Sequence, residues 1–224
     1  MIRLEAVERH YTMTGQTVRA LAGIDLRIDT GEFVAITGPS GSGKSSLLNV
    51  LGCLDRPNTG RYWLADQDVA LLDDDQASTI RNRKIGFVFQ SFHLLPRLTV
   101  LENVLLPRRF LRESVPGLEE RARMLLTRVG LGDRLDHRPN ELSGGQMQRA
   151  AIARALVMKP TLLLADEPTG NLDSKSAADV LSLLEEVHTA GQTIVLVTHD
   201  NDVAARAARR IQLRDGKVCS DARH

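Results

Sequence analysis

The chain has 224 residues, of which 42% are hydrophobic, 25% charged and 4% aromatic, a composition that excludes disordered and fibrous classes. Its 29 basic and 28 acidic residues leave a formal net charge of +1, so no basic surplus points to a nucleic-acid backbone. The length suits one to two domains and is ample for a buried core.

At the start, MIRLEAVERHYTM places charges where a signal peptide needs an apolar stretch. Residues 2–4 and 21–28 alternate as strands, with Thr30-Gly31 as a turn. Residues 32–37 (EFVAIT) form a short apolar strand that runs into a glycine-rich loop, and residues 45–54 read as a helix entered from that loop. Asp73-Asp74-Asp75 reads as a solvated loop rather than a metal site, because no further ligands cluster near it. Residues 85–90 (IGFVFQ) are a further strand.

From residue 91 to 157 the spacing turns helical: Leu101, Val104 and Leu105, then residues 118–129, then 146–157. Residues 161–165 and 193–198 are continuous apolar runs, as in a parallel sheet covered on both faces. The helix at 176–188 between them completes a βαβ unit. The expected fold class is therefore α/β, a nucleotide-binding core with a mostly helical insertion. Cys53 and Cys219 are the only cysteines, and their spacing suggests neither a disulfide framework nor a metal site. Apolar runs such as residues 162–165 fall far short of the ~20 residues of a membrane helix. These features together predict a reduced, soluble, intracellular protein.

Three motifs carry chemistry. Gly38-Pro39-Ser40-Gly41-Ser42-Gly43-Lys44-Ser45 fits G-x-x-x-x-G-K-[ST] between a predicted strand and a predicted helix. Glycines let backbone N–H groups approach phosphates, and the helix N-terminus adds its positive end. Lys44 supplies a charge to the β and γ phosphates, and the Ser45 hydroxyl suits Mg²⁺. The strand at 161–165 ends in Asp166 and Glu167, and ligands collect at such carboxyl ends, so both acids are expected to face the phosphate loop. Asp166 suits holding Mg²⁺ through a water, and Glu167 suits polarising an attacking water. His199 ends the strand at 193–198 in the same way. Alone it would read as structural; beside the other motifs a γ-phosphate contact is the better reading.

Leu142-Ser143-Gly144-Gly145-Gln146, ahead of the helix at 146–157, decides the family. With the motifs above, the chain resembles the ATP-binding cassette of an ABC transporter, over nearly its whole length and in the expected order. Within that family GPSGSGKSSLLNVLGCLDRPNTG, IGFVFQSFHLLPRLTVLENVLLP and HRPNELSGGQMQRAAIARAL are similar to the lipoprotein-release, macrolide-export and cell-division branch. The resemblance implies a P-loop core with a mostly parallel sheet and an N-terminal antiparallel β region (residues 1–90 and 158–224), interrupted by a helical subdomain (91–157).

By the same resemblance Tyr11 stacks on adenine, Gln90 is the Q-loop glutamine that senses Mg²⁺, Asn171-Leu172-Asp173 is the D-loop, and His199 is the switch histidine. Ser46 stands where threonine is commoner and keeps a hydroxyl for the α-phosphate, whereas Met147 replaces a usual glutamine. Two copies are implied to pair head to tail around two ATP molecules, each site joining one phosphate loop to the other chain's Ser143, Gly144, Gly145 and Gln146. A glycine-rich helix start is an anion site, and a two-fold pair gives two equal sites.

The implied function is an ATPase subunit, on the cytoplasmic face of the inner membrane, that powers integral membrane permease subunits in export or extraction. Two alternatives stand beside it: an ATPase of a non-transporting signalling complex of the cell-division type, and a soluble cassette ATPase acting on nucleic acid. Phe92, Leu94 and Leu95 are expected near the groove that receives a helix of the membrane subunit, although they would equally fill the junction between core and insertion.

Overall fold

The computed structural model describes residues 1–13, 16–111 and 113–223. The chain opens with two long paired strands, β1 (Ile2–Met13) and β2 (Gln16–Ile28), followed by β3 (Phe33–Thr37) and helix α1 (Lys44–Leu51). Next come β4 (Thr59–Leu64), β5 (Gln67–Asp68), α2 (Asp74–Lys84) and β6 (Ile85–Phe89). Three helices, α3 (Val100–Val104), α4 (Leu118–Arg128) and α5 (Gly144–Leu156), separate β6 from β7 (Leu162–Asp166). The chain then runs through α6 (Ser174–Thr189), β8 (Thr193–Val197), α7 (Asn201–Ala204), β9 (Arg209–Arg214) and β10 (Lys217–Arg223).

The strands form two sheets. An antiparallel one has the order β2-β1-β4-β5, and a larger one has the order β10-β9-β3-β8-β7-β6, parallel except for β10. Alternate residues of the central strands serve opposite faces. Val34, Ile36, Leu162, Leu164, Val195 and Val197 join the core shared with α1 and the antiparallel sheet. Ala35, Leu163, Ala165, Ile194 and Leu196 join the core shared with α3 to α6. This double cover is why β3, β7 and β8 read as unbroken apolar runs. Polar residues gather at their carboxyl ends, where Asp166 closes β7 and Thr198 and His199 follow β8.

Several expectations are corrected. β1 and β2 extend well past residues 2–4 and 21–28, because their outer halves are a half-exposed hairpin held by pairing rather than by apolar alternation. Asp73 to Asp75 are not a loop. Asp73 caps α2, its side chain accepting from Gln76 N at 2.8 Å while Gln76 Oε1 accepts from Asp73 N, and Asp74 and Asp75 fill the first turn. Only Ala77 of that helix is buried, so no periodic signal announces it. β4, β5, β9, β10 and α7 were likewise not anticipated. Cys53 is half-buried and Cys219 exposed, both as free thiols.

Candidate functional site

The loop from Gly38 to Gly43 joins β3 to α1. Two of its glycines are dictated by neighbours: a Cβ on Gly38 would strike the Leu213 carbonyl of β9, and one on Gly43 would strike the Ala20 carbonyl of β2. Gly43 also has φ +101°, a left-handed conformation that side chains resist. Lys44 Nζ curls back over the loop and donates to the carbonyls of Gly38 at 2.8 Å and Pro39 at 3.0 Å. Ser42 is buried, and its Oγ finds no partner within the protein. Ser40, Gly41 and Ser45 are exposed, and Ser46 is half-buried.

Asp166 ends β7, pairs in register with Val197 of β8, and is half-buried. Burial raises the pKa of its carboxyl, the adjacent Glu167 carboxylate raises it further, and Lys44 pulls it back. Glu167 follows with φ +44°. Its carboxylate turns along the end of β8, where it accepts from Thr198 Oγ1 at 3.0 Å and from His199 N at 2.9 Å. His199 Nδ1 lies 2.6 Å from the same carboxylate. The structure therefore brings Glu167 and His199 together as a pair, with the histidine ring largely exposed.

Gln90 lies one residue beyond Phe89, the register partner of Asp166. Its Nε2 donates to Asn171 Oδ1, and Asn171 Nδ2 donates back to the Gln90 carbonyl, both at 3.1 Å. Asp173 caps α6, accepting from Lys175 N, Ser176 N and Ser176 Oγ, and these bonds hold its carboxyl below the usual carboxylate range. Ser143 caps α5 in a reciprocal box with Gln146, and in the first turn Gly144 and Gln146 are half-buried and Gly145 is buried. Gly144 lies beside Leu172 and Asn171 O, and Gly145 against Ser176. Among the described residues no hydrogen bond joins positions 143–146 to the chain's own phosphate loop.

Tyr11, on β1, donates its hydroxyl to Asp55 Oδ2 at 2.8 Å. The Arg9 guanidinium covers one ring face, 4.7 Å from the centroid, and is itself paired with Asp55 at 2.7 and 2.8 Å. Arg9 and Asp55 are site neighbours that the sequence reasoning missed, and no local signal marks them.

An apolar groove of about 300 Å³ opens beside this region, lined chiefly by Phe87, Phe89, Leu106, Pro107, Phe110 and Met158, with His93 and Arg154 at its edge. Phe92, Leu94 and Leu95 do not line it. Phe92 and His93 both have positive φ, which turns the chain sharply. His93 stacks on Phe89 at 4.9 Å, whereas Phe92 lies against the start of α5 at Gly144. Leu94 packs on the core, and Asn103 bonds both backbone groups of Leu95.

The chain matches the family described as "ABC transporter" over residues 21–170. It is 52% identical, over 99% of its length, to the macrolide export ATP-binding/permease protein MacB of Hyphomonas neptunium, of which it covers 34%. It is 49% identical, over its full length, to the uncharacterized ABC transporter ATP-binding protein YvrO of Bacillus subtilis, of which it covers 97%. The chain thus spans about a third of the MacB relative and nearly all of YvrO. Among solved structures it is similar to a dimeric bacterial ABC transporter cassette, with 46% identity, TM-score 0.90, all of this chain covered and 98% of that one. It is also similar to the post-hydrolysis dimer of that cassette bound to ADP and Pi, with 45% identity, TM-score 0.90 and the same coverage of both chains.

Proposed function

Because the chain belongs to the ABC transporter family, as one of its ATPase cassettes, we propose that two copies close head to tail around two ATP molecules to drive integral membrane permease subunits in export or extraction. The dimeric state of similar cassettes and the fused permease of the MacB relatives support this reading. They favour it over a signalling or a nucleic-acid role. Among the described residues no helix is long and apolar enough to cross a membrane. The permease named in the MacB relatives supports a membrane-spanning partner of that kind, with the cassette on its cytoplasmic face. The chain acts as one ATP-binding unit, with residues 91–157 inserted in a core formed by 1–90 and 158–224.

In this reading the loop amides of residues 38–43, with Lys44 and the hydroxyls of Ser45 and Ser46, hold the phosphates, and Tyr11 offers its face to adenine. The donors at this edge suit Mg²⁺: the Ser45 hydroxyl, the Gln90 amide oxygen and the Asp166 carboxylate are hard oxygen ligands. When bound, Mg²⁺ offsets charge on the β and γ phosphates. Gln90 and Ser45 contribute oxygens, Asp166 acts through a water, and Asp173 closes the D-loop at the dimer seam. Ser143, Gly144, Gly145 and Gln146 serve the partner copy's nucleotide, a reading that the dimeric state of the similar cassette supports. Glu167 orients the attacking water and accepts its proton as ADP leaves, and His199 fixes the carboxylate and meets the γ-phosphate.

The observation that carries this reading is the Glu167–His199 pair at the strand ends beside Asp166 and Lys44. The test is Glu167→Gln, followed by phosphate release and by size-exclusion chromatography with and without ATP. An amide keeps the shape but loses the basicity, so ATP binding is retained, turnover falls at least about 100-fold, and ATP shifts monomer to dimer. Retained turnover would remove Glu167 from the role. Tight ATP binding without a dimer, both alone and with the membrane subunits, would remove the sandwich.

A further inference from the structure

Gln148, on α5 just beyond the signature residues, is a polar side chain with no exposed surface. Its Nε2 donates to two main-chain carbonyls, Phe89 O at 3.2 Å and Pro168 O at 2.6 Å. Phe89 immediately precedes Gln90, and Pro168 immediately follows Glu167. A side-chain amide has two N–H protons, and here each goes to the end of a different strand. Its Oε1 is buried and has no partner. The two carbonyls fix which end of the amide faces them, because the reverse orientation would set oxygen against oxygen. An unpartnered buried oxygen is unfavourable, and an apolar side chain of similar shape would avoid it. Glutamine at this position is thus explained by its donors, not by its volume.

One of the strand ends it grips is strained. Glu167 has φ +44°, a conformation that a non-glycine residue keeps only when its surroundings impose it. Glu167 N donates to Val197 O at 2.9 Å, and Gly170 N donates to Glu167 O at 3.0 Å. Gly170 in turn abuts the Gln90 amide, since a Cβ there would come within 2.7 Å of Nε2. Gln148 joins this turn to the helix carrying Ser143, Gly144 and Gly145 through its bond to Pro168 O.

We infer that Gln148 is a positioning residue that ties the signature helix to both strand ends of its own ATP site, holding Glu167 and Gln90 in register with each other. The inference rests on Glu167 being the group that orients water. A shift of α5, when its first turn meets a partner's phosphate, moves both carbonyls together, so each chain's site answers to the nucleotide in the other.

The test is Gln148→Met, which keeps the length and removes both donors. Ile152→Val, at a buried position on the same helix, is the control for lost stability. Melting temperature, affinity for a fluorescent ATP analogue, and kcat and KM for phosphate release are measured on the full chain. Gln148→Met is expected to bind ATP within about twofold of wild type while kcat falls about tenfold or more, the signature of a group that acts only in the transition state. An unchanged kcat, or a fall matched by Ile152→Val at equal loss of melting temperature, overturns the inference. Glu167→Gln run in parallel separates the two ways of failing: if it retains turnover, the reading of Glu167 falls, and if it loses turnover while Gln148→Met does not, only the role of Gln148 falls. Should Gln148→Met not fold, Gln148→Asn shortens the arm while keeping both donors, and the same two outcomes decide.

Discussion

The side chain of Gln90 is held by Asn171 through its nitrogen, Nε2 to Oδ1 at 3.1 Å, which leaves the Gln90 carbonyl oxygen as the free end of the amide. Since the return bond from Asn171 Nδ2 goes to the Gln90 backbone, one asparagine orients both the amide and the chain that carries it. Asn171→Ala releases this grip, so the Mg²⁺ concentration for half-maximal turnover should rise several-fold. Asn171→Asp keeps an acceptor and should lie between the two. Titrating Mg²⁺ against phosphate release, with nucleotide affinity measured in EDTA as the reference, checks this. An unchanged Mg²⁺ requirement in Asn171→Ala would show that the pair does not orient Gln90.

Lys44 is the only side-chain cation within the phosphate-loop motif, and it contacts only loop carbonyls that water can serve in its absence. Lys44→Ala should therefore fold normally and lose ATP affinity. Hydrogen bonds to a charged group contribute about 1.5–3 kcal/mol, which corresponds to roughly 10- to 100-fold in affinity. Circular dichroism together with a nucleotide titration measures both halves. Wild-type affinity in a folded Lys44→Ala chain would contradict the site assignment.

Phe110 is 72% exposed on the wall of the apolar groove, so replacing it should cost little stability. If this groove receives a segment of the membrane subunit, Phe110→Asp should leave the ATPase activity of the cassette alone unchanged and abolish its co-purification with membrane subunits. Leu95→Asp, outside the groove, should leave assembly intact. If Phe110→Asp assembles and supports transport normally, the partner surface lies elsewhere.

Arg209 is buried where β9 meets the antiparallel sheet, and it pairs with Asp221 at 2.6 Å and Glu32 at 2.8 Å. The Arg209 hydrogen bond holds the Asp221 carboxyl below its usual range, partly opposed by burial. A folded-state pKa below the unfolded one contributes stability that is full above the unfolded value, near 3.9, and lost as pH falls through the folded value. Asp221→Asn should melt a few degrees below wild type at pH 7, and the gap should close as the pH falls past the ordinary carboxylate range and Asp221 takes up its proton. A gap independent of pH would mean that the charge of Asp221 is not what stabilises.

The parts of this molecule legible in the sequence are those fixed by nearby residues. The phosphate loop, the start of the signature helix and the ends of β7 and β8 carry their chemistry within a few positions, and doubly covered strands spell themselves as apolar runs. The parts that were not legible depend on distant partners. Arg9 and Asp55 frame Tyr11 from either side of the phosphate-loop helix, and Gln148 reaches carbonyls at Phe89 and Pro168. Two successive left-handed residues at Phe92 and His93 turn the chain there, and no local sequence pattern announces that turn or the groove lined by Phe87, Phe89 and Phe110.

The wall behind Gly38 is the Leu213 carbonyl of β9, close to the far end of the chain from the loop it shapes. On the ribosome the whole phosphate-loop motif emerges while that wall is still unmade, and folding during synthesis proceeds from the N-terminus. A nascent cassette therefore carries its nucleotide motif without that wall until β9 pairs with β3. The bracing of the loop trails its own synthesis, and a chain cut short before β9 keeps every motif while lacking the wall that shapes Gly38.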